Sequence, residues 1–304
     1  MSRRAALGLL AGAGAGLVLG VPLPAGAATG QRTRKIPSSG EDLPVVGLGT
    51  ARTFDVGGSP AEREPLAEVL RRFVAAGGTL VDSSPMYGNA ERVVGDLLKQ
   101  LDLNRAVFRA TKVWTDGREA GIAQMEESRR LMGGERIDLM QVHNLRDLQT
   151  HLATLREWKA AGRIRYVGVT HYTERAYDDL ERILKNEKLD FVQYNYSLGE
   201  REAEERILPL SADVGTAVLV NKPYLRGRLF RAVKGRPLPG WAEEFDAGSW
   251  GQFFLKFILG HPAVTCVLPA TSKARHLDDN MGAGLGRLPD PAQRKRMVTF
   301  YESL

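Results

Sequence analysis

Eight short runs of apolar and β-branched residues recur along the chain, and amphipathic segments separate most of them. They cover residues 45–50, 79–84, 106–113, 137–144, 164–170, 190–197, 217–223 and 264–271. Most of their centres lie about thirty residues apart, the length of one strand-helix unit. Runs that are apolar on both faces indicate parallel strands covered by helices. Because eight such units close into a ring, we predict a (β/α)8 TIM barrel.

The segments between the runs carry signals for helix ends. Ser59-Pro60 followed by Glu62 predicts a capping box with proline at the first helical position, and Gly77-Gly78 predicts the end of that helix. Asp290-Pro291 predicts a similar start for the last helix. Ahead of the first run, residues 33–44 predict a short N-terminal β-hairpin that turns near Gly40 and covers the bottom of the barrel.

A doubly wound open sheet is the competing architecture. No Gly-x-Gly-x-x-Gly sequence follows the first run, which favours the barrel. No linker or change of composition divides residues 45–304, so we expect one domain over 29–304.

A long insertion, residues 223–250, separates the seventh and eighth runs. It is either a solvated basic loop or, because such loops overhang the active face of a barrel, a contact for a phosphate-bearing ligand. Its basic residues are Arg226, Arg228, Arg231, Lys234 and Arg236.

Composition narrows the functional classes. Of 304 residues, 43% are hydrophobic and 26% charged, which is typical of a globular protein and argues against extensive disorder. The net charge of +6 is modest and its basic residues are interleaved with acidic ones, so we expect no nucleic-acid partner. A single cysteine, Cys266, excludes an internal disulfide. We see no metal-ligand cluster, and we expect a monomer.

Residues 1–28 predict an export signal. Arg3-Arg4 precede a Gly/Ala-rich apolar stretch, and Ala25-Gly26-Ala27 form a small-residue cleavage site, so the mature chain would begin near Ala28. The arginine pair resembles a twin-arginine signal, which would make the twin-arginine export machinery a partner. The predicted product is periplasmic or secreted, with no stable membrane association after cleavage. The alternatives are a general secretory signal and an uncleaved anchor.

Titratable side chains collect where the runs end. Asp82 lies near the end of the second run and Tyr87 follows that run, while Lys112 ends the third run and His143 ends the fourth. In a barrel these ends share one rim, where active sites lie. Thr170 ends the fifth run, His171 follows it and Gln193 lies in the sixth run, and all three are expected at the same rim.

This combination suits proton transfer to a carbonyl oxygen. A phenol has an ordinary pKa near ~10, and an adjacent ammonium group such as that of Lys112 is expected to lower the pKa of Tyr87. Asp82 would keep Lys112 charged and in place, while His143 would hydrogen-bond the carbonyl oxygen of a substrate. Conversion of that carbonyl to an alcohol also needs a hydride.

The motifs at these positions resemble those of the aldo-keto reductases, NADPH-dependent barrel enzymes. "VDSSPMYGNAE", "ATKV", "LMQVHN", "VGVTHY", "VQYNYS" and "LPATSKARHLDDN" occur in that family's order and spacing, from the first run to about residue 280. The resemblance implies that Asp82, Tyr87, Lys112 and His143 form the catalytic tetrad, with Tyr87 as the general acid. It also implies a small-molecule carbonyl substrate.

The resemblance extends to residues that would bind the cofactor. It implies that Thr170, His171 and Gln193 hold the nicotinamide carboxamide and that Asp279 and Asn280 hold the adenine. The full set implied for the cofactor is Thr170, His171, Gln193, Asn221, Lys222, Pro223, Leu225, Thr271, Lys273, His276, Asp279 and Asn280.

Three departures from the family pattern involve four positions. Asn221 stands where a tyrosine usually stacks on the nicotinamide, and His171 replaces an asparagine. Ala270 and His276 stand where many members carry two cations for the 2′-phosphate, so NADPH is expected but NADH is possible.

The second reading of the function is a non-enzymatic nicotinamide-nucleotide-binding or redox-sensing protein on the same fold. For such a protein an intact tetrad is unnecessary, so the tetrad favours catalysis. A hydrolase or isomerase barrel would need metal ligands or paired carboxylates at the strand ends, which are not seen. Phe54, Trp114 and Trp241 are candidate walls of the substrate pocket.

Overall fold

The computed structural model describes residues 30–304, so the predicted export signal lies outside the described residues. Two strands form an antiparallel hairpin and eight form a parallel sheet in the order β10-β9-β8-β7-β6-β5-β4-β3. The strands are β1 (Thr33–Lys35), β2 (Asp42–Pro44), β3 (Leu48–Gly49), β4 (Leu80–Asp82), β5 (Phe108–Val113), β6 (Ile137–His143), β7 (Ile164–Thr170), β8 (Phe191–Asn195), β9 (Ala217–Asn221) and β10 (Val264–Val267).

Backbone hydrogen bonds join the two ends of this sheet. The amide of Gly47 donates to the Val267 carbonyl, and the Val267 amide donates to the Val45 carbonyl, each at 2.9 Å. Gly49 adds a third bond, from its amide to the Pro269 carbonyl at 3.0 Å. The sheet therefore closes on itself, and the predicted (β/α)8 barrel with its N-terminal hairpin is confirmed.

Helices surround the barrel and bury their apolar faces against it. They are α1 (Pro60–Ala75), α2 (Ala90–Gln100), α3 (Arg118–Met132), α4 (Leu148–Ala160), α5 (Tyr177–Asn186), α6 (Ile207–Asp213), α7 (Arg228–Ala232), α8 (Trp250–Leu259), α9 (Ala274–Gly282) and α10 (Pro291–Glu302). Helix α10 begins with the full capping box predicted at Asp290.

The start of α1 differs from the prediction. Ser59 is the N-cap and Pro60 the first helical residue, but the Ser59 hydroxyl donates to the Glu62 carboxylate at 2.6 Å and caps no backbone amide. A hydroxyl has one proton, and here the nearby carboxylate is its acceptor, so the reciprocal capping box does not form. The helix ends at Ala75, just before Gly77 with φ of 84°, as predicted.

The hairpin covers the N-terminal end of the barrel. Ile36 and Leu43 are buried in the cluster inside the barrel, together with Phe108, Phe191 and other inward-facing side chains. Beside them, the Tyr166 hydroxyl donates to Glu41 at 2.5 Å. With this end filled, the opposite rim is where a ligand can enter.

The insertion at residues 223–250 is more ordered than the predicted loop. It contains helix α7 and two short 3-10 helices, Leu225–Gly227 and Gly240–Phe245. Leu229 and Phe245 are fully buried, and this burial anchors the segment to the barrel.

Candidate active site

The carboxyl ends of neighbouring strands carry the predicted catalytic side chains. Asp82 ends β4, Lys112 lies one residue before the end of β5, and His143 ends β6. Because these strands are parallel and paired in register, the three side chains reach the same rim. With Tyr87 they line one cavity of about 770 Å³.

Lys112 and Asp82 form a buried ion pair at the base of the cavity. The Lys112 ammonium donates to both Asp82 carboxylate oxygens at 2.8 Å and to the Ser83 carbonyl at 2.6 Å. Gln141 and Gln193 each donate to the same carboxylate at 3.3 Å. Burial, the largest single influence, disfavours the charged ammonium, but Asp82, Tyr87 and Glu91 together outweigh it, so the pKa of Lys112 is raised. Lys112 is therefore charged, as predicted.

Tyr87 stands above this ion pair on the turn between β4 and α2. Its amide donates to the Ser84 carbonyl at 3.0 Å, and its ring centroid lies 5.2 Å from the Lys112 ammonium. Gly88 follows with φ of 58°, and a Cβ atom there would clash with an Asp55 carboxylate oxygen. The turn that presents Tyr87 therefore needs glycine at position 88.

The pKa of Tyr87 shifts in the direction opposite to the prediction. Burial of the phenol raises its pKa, and the Asp82 carboxylate adds to the rise. Lys112 lowers it as expected, but by less than burial raises it. Tyr87 is therefore a neutral phenol that holds its proton at neutral pH.

His143 faces Tyr87 edge-on, with ring centroids 6.2 Å apart. Burial, the Lys112 ammonium and His171 lower its pKa to about 3. Its imidazole is therefore neutral at physiological pH. A neutral imidazole has one N–H donor, so it can donate one hydrogen bond to an oxygen atom in the cavity.

Beside the four predicted catalytic residues, the cavity wall carries buried side-chain oxygens that accept no hydrogen bond within residues 30–304. The side-chain oxygens of Gln193, Asn221 and Asn144 are buried and have no hydrogen-bond partner within residues 30–304. All three residues line the cavity, as does Thr170. A buried acceptor without a partner is costly, so these oxygens suit a ligand that carries amide donors.

Other predicted cofactor residues frame the cavity at the end of β9. Lys222 and Pro223 line it, while Leu225 is buried behind the lining. His171 does not line the cavity, but its backbone carbonyl accepts a 3.4 Å hydrogen bond from the side-chain amide of Asn221. Lys222 has φ of 49°, an uncommon conformation for a residue other than glycine.

The residues predicted to hold adenine and the 2′-phosphate lie apart from this cavity. They lie just before α9 and within that helix. They are Thr271, Lys273, His276, Asp279 and Asn280, none of which lines it. Asp279 accepts hydrogen bonds from Ser249 and Gln252 of the α8 N-terminus. The buried Asn280 accepts one from the Tyr224 hydroxyl at 2.6 Å. Adenine contacts at these two side chains would require new partners.

The candidate substrate walls divide into three cases. Trp114 lines the cavity as predicted. Phe54 does not, because it is fully buried in the core outside the barrel. Trp241 also does not, because it packs against Phe245 and Phe253 in an aromatic cluster of the insertion.

Sequence reasoning missed several residues of the site. Ser84 contacts His143, and Gln141 and Asn144 place amide groups beside Asp82 and in the cavity wall. Tyr172 lines the cavity with 43% exposure. Each lies within two residues of a predicted site residue, and that proximity was the available signal.

The fold and this site define a class of protein, a parallel barrel whose rim holds an ammonium-assisted phenol and a neutral imidazole around a ligand cavity. The model of the "Aldo/keto reductase family" matches residues 45–294. The chain therefore belongs to the aldo/keto reductase family, as its motifs implied.

Individual relatives are distant. The chain is similar to aldo-keto reductase YhdN of Bacillus subtilis, 28% identical over 212 residues, which is 64% of this chain and 62% of that protein. It is 27% identical over 255 residues to methylglyoxal reductase YeaE of Escherichia coli, covering 81% of this chain and 88% of that one. A solved aldo-keto reductase from Klebsiella pneumoniae in complex with NADPH superposes with a TM-score of 0.74 at 23% identity, covering 89% and 95% of the two chains.

Two further properties bear on the candidate site. Among residues 30–304, no group of three or more His, Cys, Asp or Glu side chains is placed to hold a metal ion. Over the same residues, no helix combines the length and apolar character needed to cross a membrane.

Proposed function

We propose that this protein is an exported carbonyl reductase that uses NADPH to convert an aldehyde or ketone to an alcohol, with Tyr87 as the general acid. NADH is the alternative cofactor. One observation carries the proposal: Tyr87, the buried Lys112–Asp82 pair and the neutral His143 share one cavity with unpartnered amide oxygens.

The residues at the nicotinamide end fit this cofactor. The free oxygens of Gln193 and Asn221 suit its carboxamide donors, and Thr170 lines the same wall. Bound there, the cofactor supplies the hydride. Lys222 places a positive charge at the cavity edge, which suits the cofactor's phosphates. At the adenine end, Asp279 and Asn280 would first exchange their present partners.

The protein side chains manage the proton and the developing negative charge. His143 donates a hydrogen bond to the carbonyl oxygen, which orients it toward Tyr87. The neutral phenol then transfers its proton to this oxygen. Lys112, held by Asp82, stabilises the negative charge that develops on the phenol, in a buried environment where this interaction is strong.

The names of similar proteins support the reaction class. YeaE of E. coli is named a methylglyoxal reductase, and the Klebsiella structure holds NADPH. Methylglyoxal is therefore a reasonable first carbonyl to test.

Tyr87→Phe tests the catalytic role. We expect a ~10²–10⁴-fold loss of NADPH-dependent methylglyoxal reduction, because the phenol is the proton donor, with NADPH affinity almost unchanged. Consumption of NADPH and nucleotide binding by fluorescence are the measurements.

Tyr166→Phe is the matched control, since its phenol lies at the closed end of the barrel and its loss should leave turnover intact. Near-normal turnover in Tyr87→Phe would contradict the mechanism. Nucleotide binding without turnover in the wild type would favour the non-enzymatic alternative.

Export is tested through the arginine pair. Changing Arg3 and Arg4 to lysine should retain the protein inside the cell, because the twin-arginine route reads that pair. The wild-type exported fraction should have a mass that begins near Ala28. Normal export of the variant would exclude this route, and a full-length mass would exclude cleavage.

A further inference from the structure

Ser84 connects the two side chains to which we assign contact with the carbonyl oxygen. It follows β4, is fully buried, and its hydroxyl oxygen lies 3.2 Å from Nδ1 of His143. The same oxygen accepts a hydrogen bond from the Met86 amide at 3.2 Å, and the Ser84 carbonyl accepts one from the Tyr87 amide at 3.0 Å. Ser84 thus touches His143 through its side chain and shapes the turn that presents Tyr87.

The direction of the Ser84–His143 hydrogen bond follows from counting donors and acceptors. A serine hydroxyl has one proton and two lone pairs. The Met86 amide already donates to one lone pair, and within residues 30–304 the hydroxyl proton has no acceptor other than His143 Nδ1. Ser84 is fully buried, so its hydroxyl is not exposed to bulk solvent. Because an unmade hydrogen bond at a buried hydroxyl is costly, the hydroxyl donates and Nδ1 accepts.

This direction determines what His143 presents to the cavity. A neutral imidazole whose Nδ1 accepts carries its proton on Nε2. His143 lines the cavity, and its Nε2 makes no hydrogen bond within the described part of the chain. The opposite tautomer would present a lone pair to the carbonyl oxygen, which would repel it.

We propose that Ser84 is a positioning residue that holds His143 as the Nε2–H tautomer and so makes it a hydrogen-bond donor to the carbonyl oxygen. The role of His143 as a donor to the carbonyl oxygen rests on the proposed reductase function. The assignment of the Nε2–H tautomer to Ser84 does not depend on that function.

The chain offers a matched control one residue away. Ser83 is also fully buried at the end of β4, but its side chain bonds the Thr50 hydroxyl at 2.9 Å and does not contact His143. Ser83→Ala therefore removes a buried hydroxyl of the same kind and leaves the Ser84–His143 contact in place.

The decisive measurement is nitrogen-15 NMR of the histidine side chains in the purified, cofactor-free protein. The His143 signals are assigned by their loss in His143→Gln. We expect a pure Nε2–H tautomer in the wild type and in Ser83→Ala, and a mixed or Nδ1–H tautomer in Ser84→Ala. With NADPH and methylglyoxal, Ser84→Ala should lower kcat/KM roughly tenfold relative to Ser83→Ala, the loss typical of one hydrogen bond, with an unchanged Kd for NADPH.

Several results would overturn the assignment of Ser84. They are an Nδ1–H tautomer in the wild type, an unchanged tautomer in Ser84→Ala, or equal kcat/KM in the two alanine variants. If Ser84→Ala does not fold, Ser84→Cys keeps the side-chain size with a weaker donor and should show a smaller shift in the same direction. The two proposals can fail separately. If the wild type has no reductase activity but Ser84→Ala still changes the His143 tautomer, the proposed function is refuted and the tautomer assignment is upheld.

Discussion

Tyr87 experiences two opposing influences on its proton. Burial raises the pKa of the phenol and the Lys112 ammonium lowers it, with burial the larger effect. A proton donor must hold its proton before the reaction, and a raised pKa ensures this at neutral pH. Lys112 therefore matters most when the proton leaves, because only then does the phenol become an anion beside the ammonium.

Lys112→Met tests this view of the ammonium. We expect turnover to fall by ~10²-fold or more, because the anion that forms on Tyr87 would lose its stabilising charge. NADPH affinity should change little, since the ammonium bonds Asp82 and the Ser83 carbonyl at the base of the site. Lys159→Met, which breaks a lysine–aspartate pair with Asp190 away from the cavity, is the control. Unchanged kcat in Lys112→Met would contradict the role.

At the start of α9, the structure favours Lys273 and Arg275 over His276 as the cations that would bind the 2′-phosphate. Burial and the adjacent Arg275 and Lys273 lower the pKa of His276, so at neutral pH it is a weaker candidate than its two neighbours. Both neighbours are exposed and have no carboxylate partner within residues 30–304.

Lys273→Ala and Arg275→Ala should therefore each raise the Kd for NADPH about tenfold and leave the Kd for NADH almost unchanged. His276→Ala should have a smaller effect, and the preference for NADPH should vary little between pH 7 and 8. Dissociation constants of both nucleotides for the three variants are the measurements. A preference that disappears as pH rises, or that only His276→Ala removes, would restore the histidine as the partner.

Among the structural elements, the hairpin depends on Arg34. From β1 its guanidinium donates to the carbonyls of Leu259 at 2.6 Å and His261 at 2.9 Å, and also to the Val264 carbonyl. These carbonyls extend from the last residue of α8 to the first residue of β10, and the carbonyls of a last helical turn have no partner within the helix. One side chain thus ties the hairpin to the last strand of the barrel.

Arg34→Ala should lower the free energy of unfolding by about 2–4 kcal/mol, because it removes a charged donor from three partly buried carbonyls. Lys35→Ala is the control on the same strand. Its ion pair with Asp42 is exposed to solvent and should contribute far less to stability. Urea denaturation of both variants is the measurement, and equal losses would show that the Arg34 contacts do not anchor the hairpin.

A second link between elements concerns the cofactor. Tyr224, just after β9, donates to Asn280 of α9, and its ring packs against Phe230 at 4.8 Å. This contact connects the loop at the cavity edge to α9, which carries the residues that the family resemblance implies for adenine.

For the whole molecule, the buried His143 and the partly buried His261 predict a loss of stability in acid. Burial lowers the pKa of His143 to about 3 and that of His261 to about 4. In the unfolded chain these groups protonate near pH ~6.5, so from there downward the unfolded state binds more protons than the folded state. Stability is therefore lost as the pH falls below ~6.5, by at most ~1.4 kcal/mol per pH unit for each such histidine.

The unfolding free energy should accordingly be lower at pH 5 than at pH 7. His261→Gln should reduce this difference, because the variant has one fewer buried imidazole to protonate. Urea denaturation at the two pH values is the measurement. Carboxylates with lowered pKa values affect stability mainly below this pH range, so they contribute little to the difference. Equal stability at pH 5 and 7 would show that the imidazoles remain accessible to protons in the folded protein.

The sequence by itself determined the barrel and the position of its chemistry. Eight apolar runs with strand-helix spacing permit few architectures, and parallel strands bring their carboxyl ends to one rim. Asp82, Lys112 and His143 could therefore be placed together from their positions at run ends, and Tyr87 from the turn that follows one of them. These inferences needed only local periodicity and a fixed topology.

Only the tertiary structure decided the properties that depend on everything around a group. Burial, which sets the sign of the Tyr87 pKa shift, sums over all neighbours and cannot be read from one strand end. The Ser84 hydroxyl has one short-range partner in sequence, Met86, and one 59 residues away, His143. Asn280 likewise bonds Tyr224 from 56 residues away. Hydrogen bonds need distances near 3 Å, and residue spacing along the chain does not specify such distances between separate elements.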